Sequence, residues 1–401
     1  MAVAGFGLYQ YLNLTRGITT SDALSSAGGG AASQHGDVNI LVMGLDSRVD
    51  ENGDPLPQDI YDALHAGDSS DGGKNANVLM LLHIPGDGSK ATEISIPRDD
   101  YVDLPGCPDK QCKGKIKQAY GLAYAQESSA IAGDGSLDKT AREQKARDAG
   151  RAAETKAVEQ FLDVSVDHFV EVTMVAFYQL AQVVQPITVC VKEPTQDSYS
   201  GANFVAGEQQ IDASQAVAFV RQRRDLYDRY DFTDLDRERR QQAFIASLAT
   251  QLKQAGTLAN PVKLANIVDV TKANTAIDSG LDLLSFAKDA QALAGGNVTF
   301  YTLPIDHFGK DASGEDVNIV NVAQVQATVK QLLSGQGTPA PSATSTPATT
   351  PGMSAEKKSG TKTHTASPSP SATAATPVPA ASAPAPNQLS ALSGGGIPCV
   401  K

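Results

Sequence analysis

Three short apolar runs limit the fold that this chain can adopt. The first, Asn39–Leu45, reads Asn-Ile-Leu-Val-Met-Gly-Leu and lacks the polar alternation of a half-exposed strand. Asn77–Ile84 and Thr92–Pro97 are also largely apolar, and the turn sequence Pro-Gly-Asp-Gly-Ser joins them. Continuous apolar runs bounded by turn residues are typical of strands that are buried on both faces of a sheet.

The rest of the foldable sequence alternates between extended and helical patterns. Further strands are predicted at 169–173, 187–191 and 298–303. Helices are predicted at 115–128, 140–163, from residue 174, at 213–223 behind the cap residue Asp212, and at 235–254, 281–294 and 320–333. Strands that alternate with helices indicate an α/β layered fold. The chain has 401 residues, enough for two average domains, but we expect one large domain over residues 37–335.

The two ends of the sequence differ from this domain in composition. Residues 1–14 are apolar but too short to span a bilayer, and we interpret them as the remnant of a membrane anchor; an unstructured terminus explains them equally well. Residues 15–36 are rich in Ser, Gly and Ala and predict a flexible spacer. Residues 336–390 are mostly Pro, Ala, Ser and Thr and predict a disordered tail. Residues 391–401 regain an ordered composition, and we expect a cysteine to tie them back to the domain.

Four cysteines are present, an even number that favours disulfides in an oxidising compartment. Cys107 and Cys112 lie in one polar loop, where a small ring can close. Three pairings are possible, and we favour Cys107–Cys112 and Cys190–Cys399. A zinc site is disfavoured because no histidine lies nearby at ligand spacing. The alternative is four free thiols in a cytosolic protein.

Charged residues follow two of the apolar strands directly. Asp46-Ser47-Arg48 comes after the first strand, and Arg98-Asp99-Asp100 comes after the third. In open α/β sheets, ligands bind outside the carboxyl ends of the strands. These two pairs therefore predict a site for an anion together with a divalent cation. Salt bridges within the two loops are the alternative interpretation.

Arginines are concentrated between Phe219 and Phe244, where seven of them occur with six acids. The net charge of −12 argues against a nucleic-acid surface, and a solvated pair of charged helices is one reading of the segment. However, the apolar stripe of the second helix, extended backwards from Phe244, places Arg237, Arg240 and Gln241 on its inner face. Several guanidinium groups around one point, at the start of a helix, favour a pyrophosphate ligand.

Six motifs in order resemble the LytR-CpsA-Psr domain, in its actinobacterial form, over about residues 37–255. They are Gly44-x-Asp46-Ser-Arg48, Asn75-Ala-Asn77-Val-Leu-Met-Leu, Ser95-Ile-Pro-Arg98-Asp99, Lys115-Ile-Lys-Gln-Ala-Tyr120, Val220-Arg-x-Arg223 and Asp234-x-x-Arg237-x-x-Arg240-Gln241. Each motif is weak alone, and the ordered set is specific. The resemblance implies a three-layer α/β/α fold with a central mixed sheet and a hydrophobic pocket for a polyprenyl chain.

The resemblance also implies roles for individual residues. The set expected to bind pyrophosphate, which Arg48 joins through its place after the first strand, is Arg48, Arg98, Arg221, Arg223, Arg237, Arg240 and Gln241. Asp46 matches a position that helps to place Mg²⁺ (or Mn²⁺), and Asn77 is its expected companion. The family often has aspartate where this chain has Asn77 and arginine where it has Asn75, which weakens the charge available to the metal.

The implied reaction is a phosphotransfer from a polyprenyl-pyrophosphate-linked glycan to peptidoglycan or a surface glycoprotein. Arg98, Arg221 and Asp99 are the expected catalytic residues, with Asp99 preferred over Asp46 as the general base. The protein is expected at the cell membrane, with one N-terminal anchor and its catalytic domain outside the cytoplasm. A lipid pyrophosphate hydrolase and a non-enzymatic cell-wall binding protein are the alternative functions.

Overall fold

A central sheet of eight strands organises the protein, which we describe from a computed structural model covering residues 17–26, 33, 36–67, 73–226, 232–256, 260, 265, 267, 269, 272–282, 296–335 and 389–401. The strands are β1 Thr19–Ser21, β2 Val38–Leu45, β3 Ala76–Ile84, β4 Ala91–Ser95, β5 Tyr101–Asp103, β6 Lys113–Lys115, β7 His168–Thr173, β8 Ile187–Val191, β9 Thr195–Asp197, β10 Ala202–Phe204, β11 Gly207–Ile211, β12 Thr275–Asp278, β13 Val298–Thr302, β14 His307–Lys310, β15 Asp316–Ile319, β16 Ser390–Ser393 and β17 Cys399–Val400. The helices are α1 Ala23–Ser26, α2 Gln58–Leu64, α3 Gln118–Ala130, α4 Lys139–Leu162, α5 Met174–Val184, α6 Ala213–Arg221, α7 Asp234–Gln254 and α8 Val322–Leu333.

The sheet is mixed, with strand order β1-β12-β7-β2-β3-β4-β13-β16. Strand β2 pairs parallel with β7 and antiparallel with β3, which is antiparallel to β4 in turn. Strands β2, β4 and β7 therefore run in one direction, and their carboxyl ends meet at the same edge. The predicted fold class, an α/β arrangement around a mixed sheet, is confirmed.

The two faces of the sheet are covered by different helices. On one face, buried residues such as Leu41, Met43 and Phe169 pack in a core with side chains of α3, α4 and α8. The intervening residues of β2 and β7, such as Val42 and Val172, point to the opposite face, where α5, α6 and α7 lie. This alternation explains why the strands are apolar throughout: each face meets a helical layer.

A buried ion network fastens the loop after β2 to helix α4. Arg147 and Arg151 of α4 both bond to Glu51 of that loop and to Glu171 of β7, at 3.0 to 3.1 Å. The hydroxyl of Tyr120 donates to Glu171 at 2.8 Å. Because breaking a buried pair leaves an uncompensated charge, this network holds the segment that begins at Asp46 in one position.

The C-terminal strap, residues 389–401, crosses helix α7 and joins two sheets. Its strand β16 extends the central sheet beside β13, and β17 pairs parallel with β8 of a second, three-stranded sheet. A disulfide joins Cys190 to Cys399, and another joins Cys107 to Cys112. Both predicted pairings are confirmed.

Most predicted elements agree with the structure to within a few residues, and strand 187–191 is reproduced in full. Asp212 caps α6 as predicted, because its carboxylate accepts the backbone N–H of Gln215 at 2.8 Å. The flexible spacer predicted for 15–36 is wrong at Thr19–Ser26, where β1 pairs with β12 and Ala23 is buried. Backbone pairing at a sheet edge requires no apolar pattern, so the composition gave no sign of it.

Several predicted segments lie outside the described residues: 1–14, most of 281–294 and nearly all of the tail 336–390. Within the described part of the chain, no helix has both the length and the apolar character needed to cross a bilayer.

Candidate functional site

A cavity of about 450 Å³ lies between the central sheet and helices α5, α6 and α7. Its inner part is apolar and is formed by alternate residues of the strands and by one face of each helix. The apolar lining residues include Val42, Val78, Met80, Val172, Met174, Phe177, Leu180, Val217, Val220, Phe244, Ile245 and Leu248. Such a lining favours a ligand with an extended hydrocarbon part.

One end of the cavity is polar, and it lies at the carboxyl edge of β2 and β4. Asp46 follows β2, and Arg98 comes three residues after the end of β4, so the parallel direction of these strands brings the two loops together. Helices α6 and α7 supply the other side. The polar lining residues are Asp46, Asn77, Arg98, Thr173, Asp197, Tyr199, Ser200, Arg221, Arg223, Arg224, Arg237 and Gln241. An apolar cavity thus opens into a cluster of four arginines, Arg98, Arg221, Arg223 and Arg237, and Arg224 lines the rim beside them.

Three of these arginines share one carboxylate. Asp234 Oδ2 accepts Arg98 Nε at 3.1 Å and Arg237 Nη2 at 3.0 Å, and Asp234 Oδ1 lies 3.5 Å from Arg223 Nε. Burial alone would raise the pKa of Asp234, but the charges of Arg237, Arg98 and Arg223 outweigh it and lower that pKa to about 2. The carboxylate is therefore ionised at neutral pH, and the cluster retains an excess of positive charge.

Arg237, together with Arg98, is one of the two buried arginines of the cluster. Its Nη2 also donates to the backbone carbonyl of Asn77 at 3.2 Å, while its buried Nε has no hydrogen-bond partner among the described residues. Burial lowers the pKa of Arg237 to about 10, which leaves it charged at neutral pH. An unpaired buried N–H is costly, so this nitrogen is available to an anionic ligand.

Arg221 and Gln241 complete the cluster from α6 and α7. Arg221 Nη1 donates to the backbone carbonyl of Leu64, and Gln241 Nε2 donates to that of Val220 at 3.2 Å. Burial lowers the pKa of Arg221, and the nearby carboxylate of Asp197 opposes the shift. These backbone contacts fix both side chains before any ligand binds.

Asp46 and Asn77 form a small oxygen-rich pair beside the arginines. Asn77 Nδ2 donates to Asp46 Oδ2 at 2.8 Å, while the buried Asn77 Oδ1 has no hydrogen-bond partner among the described residues. Arg48 pairs with Asp46 and donates from Nε to the carbonyl of Ala66 at 3.1 Å, outside the described lining of the cavity. The described residues contain no group of three or more His, Cys, Asp or Glu arranged for a metal. A cation here would need most of its ligands from phosphate oxygens and water.

Arg240 does not join the pyrophosphate cluster, contrary to expectation. Its guanidinium is fully buried and donates to Gln222 Oε1 at 2.6 Å, to Thr195 Oγ1 at 3.1 Å and to the backbone carbonyl of Lys401 at 2.7 Å. Helix geometry explains the difference, because Gln241 and Arg240 point about 100° apart. Gln241 faces the cavity, and Arg240 faces the C-terminal strap.

Asp99 also lies outside the described lining of the cavity. Its Oδ1 is 2.6 Å from Lys117 Nζ, and its Oδ2 is 3.6 Å from Arg98 Nε. It therefore contacts Arg98 from outside the cavity lining, whereas Asp46 lies within the lining.

The sequence assigned no role to Asp234, Arg224 or Tyr199, all of which belong to the site or border it. Asp234 was detectable, since it precedes Arg237 by three residues on the same helix face. Tyr199 lies in an irregular loop between β9 and β10, where no periodicity indicates a direction.

Comparison with known proteins gives concordant results. Residues 13–334 match the sequence model of the LytR_cpsA_psr family. The chain is 36% identical over 347 residues to the cell wall biosynthesis protein LcpA of Corynebacterium glutamicum, covering 85% of this chain but only 64% of LcpA. It is 26% identical over 292 residues to TagU of Oceanobacillus iheyensis, a polyisoprenyl-teichoic acid–peptidoglycan teichoic acid transferase, covering 71% and 74% of the two chains. The crystal structure of protein gbs0355 from Streptococcus agalactiae has the same fold, with a TM-score of 0.54, 19% identity, and coverage of 79% and 91%.

Proposed function

Because this chain belongs to the LytR_cpsA_psr family, we propose that it transfers a glycopolymer from a polyprenyl-pyrophosphate carrier to an acceptor in the cell envelope. The observation that carries the proposal is the junction of an apolar cavity with a cluster of arginines. The carrier molecule has a matching arrangement, because its apolar prenyl chain is joined directly to its charged pyrophosphate. Relatives named for cell wall biosynthesis and for teichoic acid transfer support the same conclusion.

The prenyl chain occupies the apolar part of the cavity. Alternate residues of β2 and β7 form its floor, and Phe177 and Phe244, whose ring centroids are 4.9 Å apart, form part of its wall. Removal of isoprene units from water contributes about 25 cal/mol per Å² of apolar surface. This contribution does not depend on the attached glycan. The apolar cavity therefore binds the carrier without distinguishing one glycopolymer from another.

The pyrophosphate lies among Arg98, Arg221, Arg223, Arg237 and Gln241. Each guanidinium can bond two phosphate oxygens, and Asp234 holds three of the arginines in place before the ligand arrives. The partly exposed Arg223 is at the surface side of the cluster, and the buried Arg237 is at the inner side. Preorganised positive charge of this kind stabilises a phosphoryl group as it transfers.

In the reaction, an acceptor hydroxyl of peptidoglycan or a surface glycoprotein attacks the phosphorus that bears the glycan. A new phosphodiester forms, the pyrophosphate P–O bond breaks, and polyprenyl phosphate leaves. Catalysis rests on positioning and charge neutralisation, which suits a site without a dedicated nucleophile. Asp46 lies in the lining and Asp99 does not, which favours Asp46 over Asp99 as the acceptor of the hydroxyl proton.

A divalent cation, Mg²⁺ or Mn²⁺, fits the residues beside this cluster. Asp46 offers one carboxylate and Asn77 offers the amide oxygen that lacks a hydrogen bond, and Mg²⁺ in proteins often takes its other ligands from phosphate and water. When bound, the ion would neutralise charge on the pyrophosphate oxygens. Arg48 would then release or share Asp46.

We further propose that the domain works outside the cytoplasm, anchored to the membrane near its amino terminus. The two disulfides support this location, because such bonds persist in oxidising compartments. Water could replace the acceptor hydroxyl in the same geometry, which would make the protein a lipid pyrophosphate hydrolase.

A single assay separates these functions. Purified protein is incubated with a prenyl pyrophosphate that carries an N-acetylglucosamine on its terminal phosphate, with and without peptidoglycan, and the products are identified by mass spectrometry. Transfer gives a peptidoglycan-linked sugar phosphate, and hydrolysis gives a free sugar phosphate. If the protein binds peptidoglycan but leaves the lipid intact under all conditions, it is a binding protein and the proposal is wrong.

A further inference from the structure

We propose that Tyr199 and Arg224 form a binding subsite for the first sugar of the glycan that is attached to the pyrophosphate. This inference rests on the proposed function and goes further, because it assigns a specificity role to two residues outside the pyrophosphate cluster.

Tyr199 is an aromatic residue that lies at the cavity and yet remains largely exposed to solvent. It belongs to the described lining of the cavity, yet 73% of its surface is accessible, the largest fraction among the exposed large hydrophobic residues of the described chain. An aromatic ring contributes most to stability when it is buried. A ring kept at the rim of a binding cavity, facing solvent, therefore points to a ligand that covers it.

The ring is nevertheless held in one position. The guanidinium carbon of Arg224 lies 4.2 Å from its centroid, a cation–π distance. The backbone N–H of Tyr199 donates to Asp197 Oδ1 at 3.0 Å, and Ser200 Oγ donates to Asp197 Oδ2 at 2.9 Å. The loop is thus fixed on both sides of the tyrosine, and the subsite is preorganised.

A second set of bonds fixes Arg224. Its neighbour Asp225 accepts the backbone N–H of Gln196 at 3.0 Å, and the N–H of Leu226 donates to the carbonyl of Gln196 at 2.6 Å. The segment after α6 is therefore tied to the segment that precedes Tyr199. These contacts fix the backbone on either side of the pair, and the cation–π contact holds the two side chains together.

The position of the pair relative to the arginine cluster identifies the occupant. Arg223 faces Asp234 within the cluster, whereas the next residue, Arg224, faces Tyr199. Two adjacent residues of the chain therefore contact the two regions, one the arginine cluster and the other the aromatic ring. With the prenyl chain in the apolar cavity, the other end of the pyrophosphate faces this rim.

The chemistry of the subsite fits a pyranose. Its C–H face is apolar and packs on an aromatic ring, while its hydroxyls accept hydrogen bonds from a guanidinium and donate to a phenol oxygen. A second stretch of prenyl chain would cover the charged guanidinium of Arg224 without offering it a hydrogen-bond acceptor. We therefore assign the subsite to the donor sugar.

The test compares two probes, geranylgeranyl pyrophosphate and the same lipid with one N-acetylglucosamine on its terminal phosphate. We expect wild-type protein to bind the sugar-bearing probe more tightly. Tyr199→Ala and Arg224→Gln should weaken that probe by about tenfold and leave the plain pyrophosphate unchanged. Tyr199→Phe, which retains the ring, should retain most of the difference.

Other outcomes overturn the inference. Equal weakening of both probes would place Tyr199 in the pyrophosphate site, and no change in either probe would leave it without a role in donor binding. Unchanged donor binding with a raised KM for peptidoglycan would assign the ring to the acceptor. If wild-type protein binds neither probe, the proposed function itself fails, and these outcomes are thus distinguishable.

Discussion

Arg98 Nε lies 3.1 Å from Asp234 Oδ2, although the two residues belong to different layers of the fold. Arg98 follows a strand of the central sheet, and Asp234 begins the helix that covers it. The same oxygen also accepts Arg237 Nη2 at 3.0 Å. One carboxylate therefore aligns guanidinium groups from the sheet and the helix around the polar end of the cavity.

We expect Arg98→Ala and Arg221→Ala each to abolish sugar-phosphate transfer while the domain stays folded. Each lost hydrogen bond to a charged group costs about 1.5–3 kcal/mol, which corresponds to roughly tenfold to a hundredfold in binding. Binding of geranylgeranyl pyrophosphate and transfer to peptidoglycan are measured, with circular dichroism as the check on folding. Wild-type turnover in both variants would show that the cluster is not the reaction site.

Arg237→Gln and Arg240→Gln form a matched pair on helix α7. Arg237 faces the cavity, so its replacement should weaken pyrophosphate binding with a modest effect on unfolding. Arg240 faces the strap, so its replacement should lower the free energy of unfolding by about 1–3 kcal/mol and leave binding within a factor of two. Denaturant unfolding and probe binding are measured on both. If Arg240→Gln instead weakened probe binding and Arg237→Gln lowered only the free energy of unfolding, Arg240 would belong to the ligand site.

We expect EDTA to lower activity and Mg²⁺ or Mn²⁺ to restore it. The apparent affinity for the metal should be weak, because Asp46 supplies the carboxylate of the proposed metal site and Asn77 supplies only a neutral amide oxygen. Asn77→Asp adds a second carboxylate and should lower the Mg²⁺ concentration needed for half-maximal activity severalfold. Metal titrations of wild type and variant give these values. Identical curves would show that residue 77 does not contact the ion.

The Cys190–Cys399 bond should stabilise the fold more than it supports activity. The chain-entropy model gives on the order of 4–5 kcal/mol for closing so long a loop, although measured gains are often smaller. Cys399→Ser should lower the melting temperature and preserve transfer at 25 °C, because neither cysteine lines the cavity in the described structure. Non-reducing peptide mapping checks the pairing. Cys399 found as a free thiol, or bonded to Cys107 or Cys112, would contradict it.

Glu93 should make stability depend on pH. Burial raises its pKa from near 4.5 to about 8, while hydrogen bonds from Ser95 and Gln242 oppose the shift. Between these values the unfolded chain loses a proton that the folded chain retains, so the free energy of unfolding falls as pH rises from about 4.5 to 8. Glu93→Gln should therefore melt above wild type at pH 8 and close to it at pH 5. Melting curves that differ equally at both pH values would contradict this assignment.

The sequence was sufficient to predict the elements whose causes are local. Apolar runs fixed β2, β3 and β4, and the shared direction of β2 and β4 brought Asp46 and Arg98 to one edge of the sheet. The spacing of α7 likewise placed Arg237 and Gln241 at the cavity, since they are four residues apart.

Elements with distant causes were not predictable. Arg240 lies on the helix face that meets the strap, where the carbonyl of Lys401, 161 residues later in the sequence, accepts its Nε. Residues three apart on an α-helix differ in direction by about 60°, so helical periodicity defines a face only to that extent. It does not show which remote segment packs against that face. Strand β16 pairs with β13 although the sequence of β16 has no strand pattern. Strands β9 and β10 have only three residues each, which is too few for a pattern to be recognised.

The bond between Cys190 and Cys399, which are 209 positions apart in the sequence, closes the chain between them into a covalent ring. This ring contains Arg221, Arg223 and Arg237 of the arginine cluster, as well as positions 336–388. A single peptide-bond cleavage anywhere between positions 335 and 389 opens the ring but separates nothing, because the strap stays attached through sulfur. Release of the last residues from the domain therefore requires two separate chemical events, hydrolysis of the backbone and reduction of the disulfide.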